Sequence, residues 1–376
     1  MALAGIRVVE MAGLAPAPFC GMILADFGAQ VTRVDKAPMG MDVEQLGRGK
    51  RSVAVNLKSP EGVDIVKKLC DRSDVLIEPY RPGVMEKLGL GPQALWQRNP
   101  KLIYARLTGY GQHGPYKNLA GHDINYLAIS GVLSTLGRAN DRPYAPINLI
   151  ADFAGGGLMC AFRILLAILE RQKTGKGRII DLSMVEGAAY VASWLFQSRG
   201  WDLVWSKGRG ENLLDGGSPV YDTYETADGK YVAVGALEPQ FHGELFDKLD
   251  LNIDSSQLFD EPETVRRLLA DKFRTKTRDE WAAYFRHSDA CVTPVLELIE
   301  VGHNEHNKER NSFYRNPSRP ECEWEPAPDP EKLLDTSPKR LHTREILAEL
   351  GYSDEHIRQL ANKNIVVDHQ EIQSKL

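Results

Sequence analysis

Residues 53–77 read VAVNLKSPEGVDIVKKLCDRSDVLI, and this stretch decides the fold class. Val53 to Val55 is a short β-rich run. Ser59-Pro60-Glu61 follows with an N-cap hydroxyl, a proline suited to the first helical position and an early carboxylate that suits the helix dipole. That signature predicts a helix to about Cys70. Val75 to Ile77 is β-rich again, so the stretch reads strand, helix, strand, and strands joined by a helical crossover run parallel.

On either side, Ile6 to Val9, Val31 to Val34 and Leu102 to Leu107 continue the alternation. The expected class is α/β, with a parallel Rossmann-like sheet covered by helices in a large domain. Ile179 to Leu182 reads as a further strand. At 376 residues the chain exceeds the usual single core, so a second domain is expected. Gly208 to Ser218 is glycine-rich and marks the boundary after a helical pattern from Met184 to Trp205. Beyond it, Tyr221 to Thr226, Asp228-Gly229 and Tyr231 to Val234 predict a β-hairpin. Helices are expected from Gln240, Pro262 and Arg278. The prolines between Asn316 and Lys339 break regular structure, and short helices follow at Thr343 to Leu350 and Asp354 to Asn362. The expected organisation is a large domain over 1–207, a smaller α+β domain over 208–315, and a return linker with a C-terminal part of the large domain over 316–376.

A net charge of −5 supplies no field for nucleic acid, so an anionic ligand must be met by a local cluster of cations. Lys36, Lys50, Arg51, Lys58 and Arg81 lie near strand ends, where ligands of open α/β sheets bind, and together would suit a phosphorylated nucleotide such as that of coenzyme A. Taken singly, each reads more readily as solvated surface charge, and their shared location is what raises the cluster. Asp35 sits where a dinucleotide fold places its ribose carboxylate, but Met11 to Pro18 has no G-x-G-x-x-G, which argues against nicotinamide binding. The five cysteines are scattered and never paired as C-x-x-C, which fits reduced core thiols rather than a zinc site or a disulfide framework. The apolar helix candidate Leu158 to Leu169 carries Arg163 and is too short to cross a bilayer, so no membrane span is expected.

Three residues have the chemistry of a site. His122 follows the Gly-rich loop Gly109 to Pro115 and precedes an apolar pattern, which places it at a helix start where a neutral imidazole is favoured. Asp152 precedes Phe153-Ala-Gly-Gly-Gly157 and a second helical pattern, so it reads as an N-cap. Capping alone would account for it. The glycines lower helix propensity, and their use is to let a ligand or another backbone come close. Glu238, before Pro239, is a third N-cap candidate.

These residues stand in segments that resemble the family III CoA-transferase superfamily and, within it, the acyl-CoA racemases. The similarity covers essentially the whole chain and is most specific at Ala120 to Tyr126 (AGHDINY), Ala151 to Gly157 (ADFAGGG) and Gly235 to Phe241 (GALEPQF). The resemblance implies interconversion of (2R)- and (2S)-2-methylacyl-CoA thioesters, including branched-chain fatty acyl and bile-acid-precursor thioesters, through an enolate. It implies that His122 and Asp152 are the two acid/base residues and that Glu238 orients one of them. It also implies contacts to the CoA thioester from Lys36, Val55, Asn56, Leu57, Lys58, Arg81, Gly121, Asp123, Ile124, Asn125 and Tyr126. Relatives commonly carry Arg at the position of Lys36, and Lys cannot bind phosphate in a bidentate way. No cofactor is implied, since coenzyme A is part of the substrate. The implied assembly is an interlocked homodimer, in which Glu238 acts in its own or the partner subunit.

Inversion next to a thioester needs one group to remove the α-proton from one face and a different group to return a proton to the other. His122 and Asp152 suit that division, and the backbone N–H of Asp123 is a candidate donor to the enolate oxygen. The closest alternative is a family III CoA-transferase in which Asp152 attacks the thioester as a covalent nucleophile. An alternative of another class is a non-catalytic acyl-CoA-binding protein. The final tripeptide, Ser374-Lys375-Leu376, is a peroxisomal address that an import receptor would read, with the mitochondrion as a second expected location.

Overall fold

A computed structural model describes residues 1–38, 45–317, 319, 322–328 and 341–368. The tripeptide Ser374-Lys375-Leu376 and most of the Pro-rich segment lie outside the described residues. The chain forms two compact units, one of 1–130, 146–191 and 308–376, the other of 131–145 and 192–307. The edges at 192 and 307 compare with expected boundaries at 208 and 315, and the segment 131–145 joins the second unit.

In the first unit, β1 (Arg7–Met11), α1 (Pro16–Asp26), β2 (Gln30–Lys36), β3 (Lys50–Val55), α2 (Pro60–Asp71), β4 (Val75–Glu78) and β5 (Ile103–Thr108) alternate as the sequence predicts. After α3 (Asp123–Ser130), a π-helix (Leu149–Leu158) runs directly into α4 (Met159–Thr174), followed by β6 (Ile179–Ser183) and α5 (Met184–Val191). All six strands pair in parallel in the order β3-β2-β1-β4-β5-β6. This is the doubly wound Rossmann order, whose switch point falls between β1 and β4.

α2 shows why these residues fold here. The Ser59 hydroxyl accepts the N–H groups of Glu61 and Gly62 at 3.1 and 3.3 Å, and Ile65, Val66, Leu69 and Cys70 turn one apolar face to the sheet core. The last segment of the chain returns to the first unit: Ile346 and Leu347 of the helix Thr343–Glu349 and Ile357 and Leu360 of Asp354–Asn362 join the same core. That return is tied to the edge strand, where Asn56 donates its N–H to the Ile365 carbonyl at 2.7 Å.

Three expectations change. β3 begins at Lys50 instead of Val53, because Lys50 is buried with Glu10 at 2.7 Å and also donates to the Pro18 carbonyl. Lys50 and Arg51 therefore stand at the amino end of their strand, away from its ligand-binding carboxyl end, and Arg51 pairs with Glu349 at 2.6 Å. The apolar helix expected at Leu158 to Leu169 is part of a continuous 26-residue run, Leu149–Thr174, long and apolar enough to match a membrane span by length and composition. One face packs on the unit, where its glycines meet α1 and α5 and Cys160, Ala161, Ile164 and Ala167 are buried, while Phe162, Leu165, Leu166 and Leu169 on the other are exposed. Finally, the helical pattern from Met184 breaks after Val191 and ends with a short helix at Ser198.

The second unit holds a three-stranded antiparallel sheet of β7 (Tyr221–Glu225), β8 (Tyr231–Gly235) and β9 (Val292–Pro294). Asp228-Gly229 forms the expected turn, with Gly229 at φ 73°. α6 (Pro239–Leu249), α7 (Pro262–Phe273) and α8 (Arg278–Phe285) cover it around Phe273, Trp281 and Phe285, and the returning helices are α9 (Thr343–Glu349) and α10 (Asp354–Asn362).

Candidate active site

A pocket of about 650 Å³ opens in the first unit at the carboxyl ends of the strands. Its wall is built from the loops after β1 (Gly13 to Pro16), β4 (Pro79 to Arg81) and β5 (Thr108 to Tyr110), with Gly121, His122, Asn125, Tyr126, Asp152 and Met184. This is the switch-point position that open α/β sheets use for ligands. His122 and Asp152, separated in sequence by 30 positions, thus line one cavity.

His122 sits just before α3, and its side chain is exposed. Its carbonyl accepts the N–H groups of Asn125 and Tyr126 at 2.9 and 3.2 Å, while its own N–H donates to the Asn125 side chain at 3.0 Å. The backbone on which the imidazole stands is therefore held at both polar groups. Tyr126 closes the turn, donating its hydroxyl to the Gly121 carbonyl at 2.5 Å. Glycine is required at 109 and 121 because a Cβ there would come within 2.2 and 2.8 Å of the Tyr126 ring. Burial pushes the Tyr126 phenol up to about 12, and the nearby Asp152 charge adds to this.

Asp152 is not the N-cap that its sequence context suggests. It lies inside the π-helix, on the turn after Asn148, and Asn148 donates to its carboxylate at 3.2 Å. Its backbone N–H and that of Ala151 both donate to one oxygen of the buried Asp123 carboxylate, at 2.8 and 2.7 Å. Burial raises the Asp152 carboxyl above its ordinary value; the Asn148 hydrogen bond opposes the rise, Asp123 adds to it and His122 opposes it. A carboxyl held above its ordinary value is a better proton donor near neutrality than an exposed one.

The glycines after Asp152 serve backbone contact. A Cβ on Gly155 would lie 2.4 Å from the Ala188 nitrogen, and one on Gly157 would lie 2.7 Å from the Pro16 carbonyl oxygen. The ten-residue π-helix is thereby pressed between α1 and α5.

The remaining predicted residues separate. Arg81, Gly121, Asn125 and Tyr126 line the pocket. Lys36 ends β2 and is exposed, and Asn56, Leu57 and Lys58 form the loop after β3, also at the carboxyl side. Val55 is fully buried in the sheet core, and its carbonyl accepts the Ala37 N–H at 3.1 Å, so the structure leaves it no exposed group for a ligand contact. The Asp123 side chain is 3% exposed and is turned to the π-helix, and Ile124 is exposed on α3. Glu238 lies in the second unit as the residue before α6 and makes no side-chain cap there. Asn148, Tyr110 and Lys117 are pocket or site neighbours that sequence reading passed over. The four-residue spacing of Asn148 and Asp152 was a usable signal, hidden by starting the helix at Asp152.

Fold and pocket define a doubly wound α/β protein with an imidazole and an elevated carboxyl at its switch point. The chain belongs to CoA-transferase family III, whose model matches residues 3–340. It is 51% identical to the alpha-methylacyl-CoA racemase of Homo sapiens over the full length of both chains, and 52% identical to that of Mus musculus over 97% of this chain and 98% of the relative. Among solved structures, a CAIB/BAIF family protein from Brucella suis superposes with a TM-score of 0.78 at 25% identity, covering 93% of this chain and 99% of the other.

Proposed function

We propose that this chain is an acyl-CoA racemase that interconverts the (2R) and (2S) forms of 2-methylacyl-CoA thioesters. The observation that carries the reading is the convergence of His122, just before α3, and Asp152, in the π-helix, on one pocket at the sheet's switch point. One group removes the α-proton, the thioester carbonyl takes up the charge as an enolate, and the other group returns a proton to the opposite face. Each proton transfer by a positioned side chain contributes about 10²–10⁴-fold. Both transfers use ionisable side chains, so the reaction as proposed needs no cofactor.

Arg81 at the pocket, with Lys36 and Lys58 at the carboxyl ends of their strands, would hold the phosphates of coenzyme A. Asp123 N–H remains the proposed donor to the enolate oxygen, and Glu238 the proposed orienting group for His122. We further propose a homodimer, supported by the exposed face of α4, where Phe162, Leu166 and Leu169 are 48%, 49% and 55% exposed. Peroxisomal import through Ser374-Lys375-Leu376 and a role in branched-chain and bile-acid-precursor oxidation complete the reading.

The test is exchange in heavy water. A single enantiomer of a 2-methylacyl-CoA is expected to lose its α-proton to solvent and its enantiomeric purity together, and His122→Ala or Asp152→Asn is expected to abolish racemisation. A wild-type enzyme that neither exchanges nor racemises the substrate overturns the reading. An active His122→Ala enzyme that passes CoA between acyl groups would instead favour Asp152 as a covalent nucleophile.

A further inference from the structure

Asp123 follows His122 in the chain, yet its side chain takes no part in the pocket wall that its neighbours His122 and Asn125 form. It is 3% exposed, and one of its oxygens accepts the N–H groups of both Ala151 and Asp152 at 2.7 and 2.8 Å. No cation pairs with this carboxylate among the described residues. The first N–H groups of a helix have no partners within it, and Asn148, the residue before the π-helix, gives them no side-chain cap. The cap is thus supplied from a different helix, by the residue adjoining the imidazole.

We infer that Asp123 is a positioning residue: its buried carboxylate anchors the start of the π-helix and so fixes Asp152 relative to His122. The inference rests on the two-base reading above. Three properties support it. A π-helix has poorer intrinsic geometry than an α-helix and depends on outside contacts to persist. Charge-assisted bonds to two consecutive N–H groups are directional, so they set orientation as well as position. Asp123 and His122 are consecutive, so any movement of one carboxylate reference point carries the other base with it.

The charge of Asp123 also acts on Asp152, alongside Asn148 and His122. The other elements packed on the π-helix have their charges engaged elsewhere or set back from it. Asp26 of α1 is held by Arg48, Arg106 of β5 by Glu78 and Glu86, and Arg163 of α4 by the Asp181 carbonyl; α5 contributes Glu186 and Tyr190.

The experiment compares Asp123→Asn and Asp123→Ala in the full-length enzyme. Asp123→Asn keeps an acceptor oxygen but removes the charge, so the Asp152 carboxyl is expected to titrate at lower pH, displacing the acid limb of kcat/KM downward. Asp123→Ala removes the anchor and is expected to lower kcat about 10²-fold with little change in KM, the cost of a misplacement near 1 Å. A purely structural role would leave the pH profile of the folded Asn variant where it is in the wild type, and that result overturns the inference. A change confined to KM overturns it as well, since it would make Asp123 a substrate contact. If Asp123→Ala does not fold, Asp123→Asn carries the test alone. Carbon-13 aspartate NMR, with the Asp152 signal assigned by its loss in Asp152→Asn, reads the same titration without substrate. The positioning inference can therefore fail while racemisation stands, and an inactive wild type leaves the NMR outcome intact.

Discussion

Gly155→Ala is the most direct probe of how the fold holds the site. A Cβ at this position would lie 2.4 Å from the Ala188 nitrogen and 2.7 Å from the Gly187 carbonyl carbon, both backbone atoms of α5 that cannot rotate away. Restoring an ordinary contact of 3.4 Å to Ala188 requires the π-helix or α5 to move by about an ångström. Overpacking of this kind costs about 2–3 kcal/mol, and the better helix propensity of alanine returns about 1 kcal/mol. The net loss of about 1–2 kcal/mol corresponds to a fall in Tm of roughly 3–6 °C for a unit of this size. Asp152 lies three residues earlier on the same element, so the shift also reaches the chemistry, and kcat is expected to fall by about 10²-fold. Gly243→Ala is the control, since Gly243 sits in the interior of α6 with nothing within 4 Å of the added carbon. That variant is expected to gain about 0.5–1 kcal/mol with unchanged activity. The assays are a thermal melt and racemisation kinetics on both variants. A Gly155→Ala enzyme that melts no lower than the wild type and keeps its kcat would refute the reasoning.

Three further outcomes are expected. Asn148→Ala removes a donor that favours the ionised Asp152, so the carboxyl, already raised, rises further and, on the proposed two-base mechanism, the acid limb of kcat/KM moves to higher pH for the enantiomer that Asp152 would deprotonate; an unmoved profile counts against the contact. Lys50→Ala removes the cation 2.7 Å from the buried Glu10 carboxylate and is expected to destabilise the first unit by about 3–5 kcal/mol in denaturant melts, whereas Lys50→Ala with Glu10→Ala recovers part of the loss. Phe162→Glu with Leu166→Glu is expected to convert the proposed homodimer to monomers in sedimentation, and a variant of dimer mass would remove the α4 face from the interface.

Much of the architecture was legible because it rests on local chemistry. The cap at Ser59, the parallel strands on either side of α2 and the Asp228-Gly229 hairpin depend on residues within a turn or two of one another, and all appear near where periodicity and turn residues put them, with β3 extended back to Lys50. The family resemblance supplied His122 and Asp152 as a pair. Spacing alone could not, since capping by itself accounted for Asp152.

What the tertiary structure decided is how those residues are used. A glycine in a helical pattern signals close approach without saying to what, and only packing showed that Gly155 and Gly157 meet α5 and α1. Lys50 looked like a ligand cation until burial against Glu10 made it part of the core. Asp152 looked like a cap, yet it is itself held by Asp123, a residue 29 positions away. Local propensities are set by neighbours along the chain, so sequence by itself determined the elements and the fold class. Which carboxylate caps, which one lines the pocket and which cation is buried depend on partners brought together across the chain, and those only the folded structure can supply.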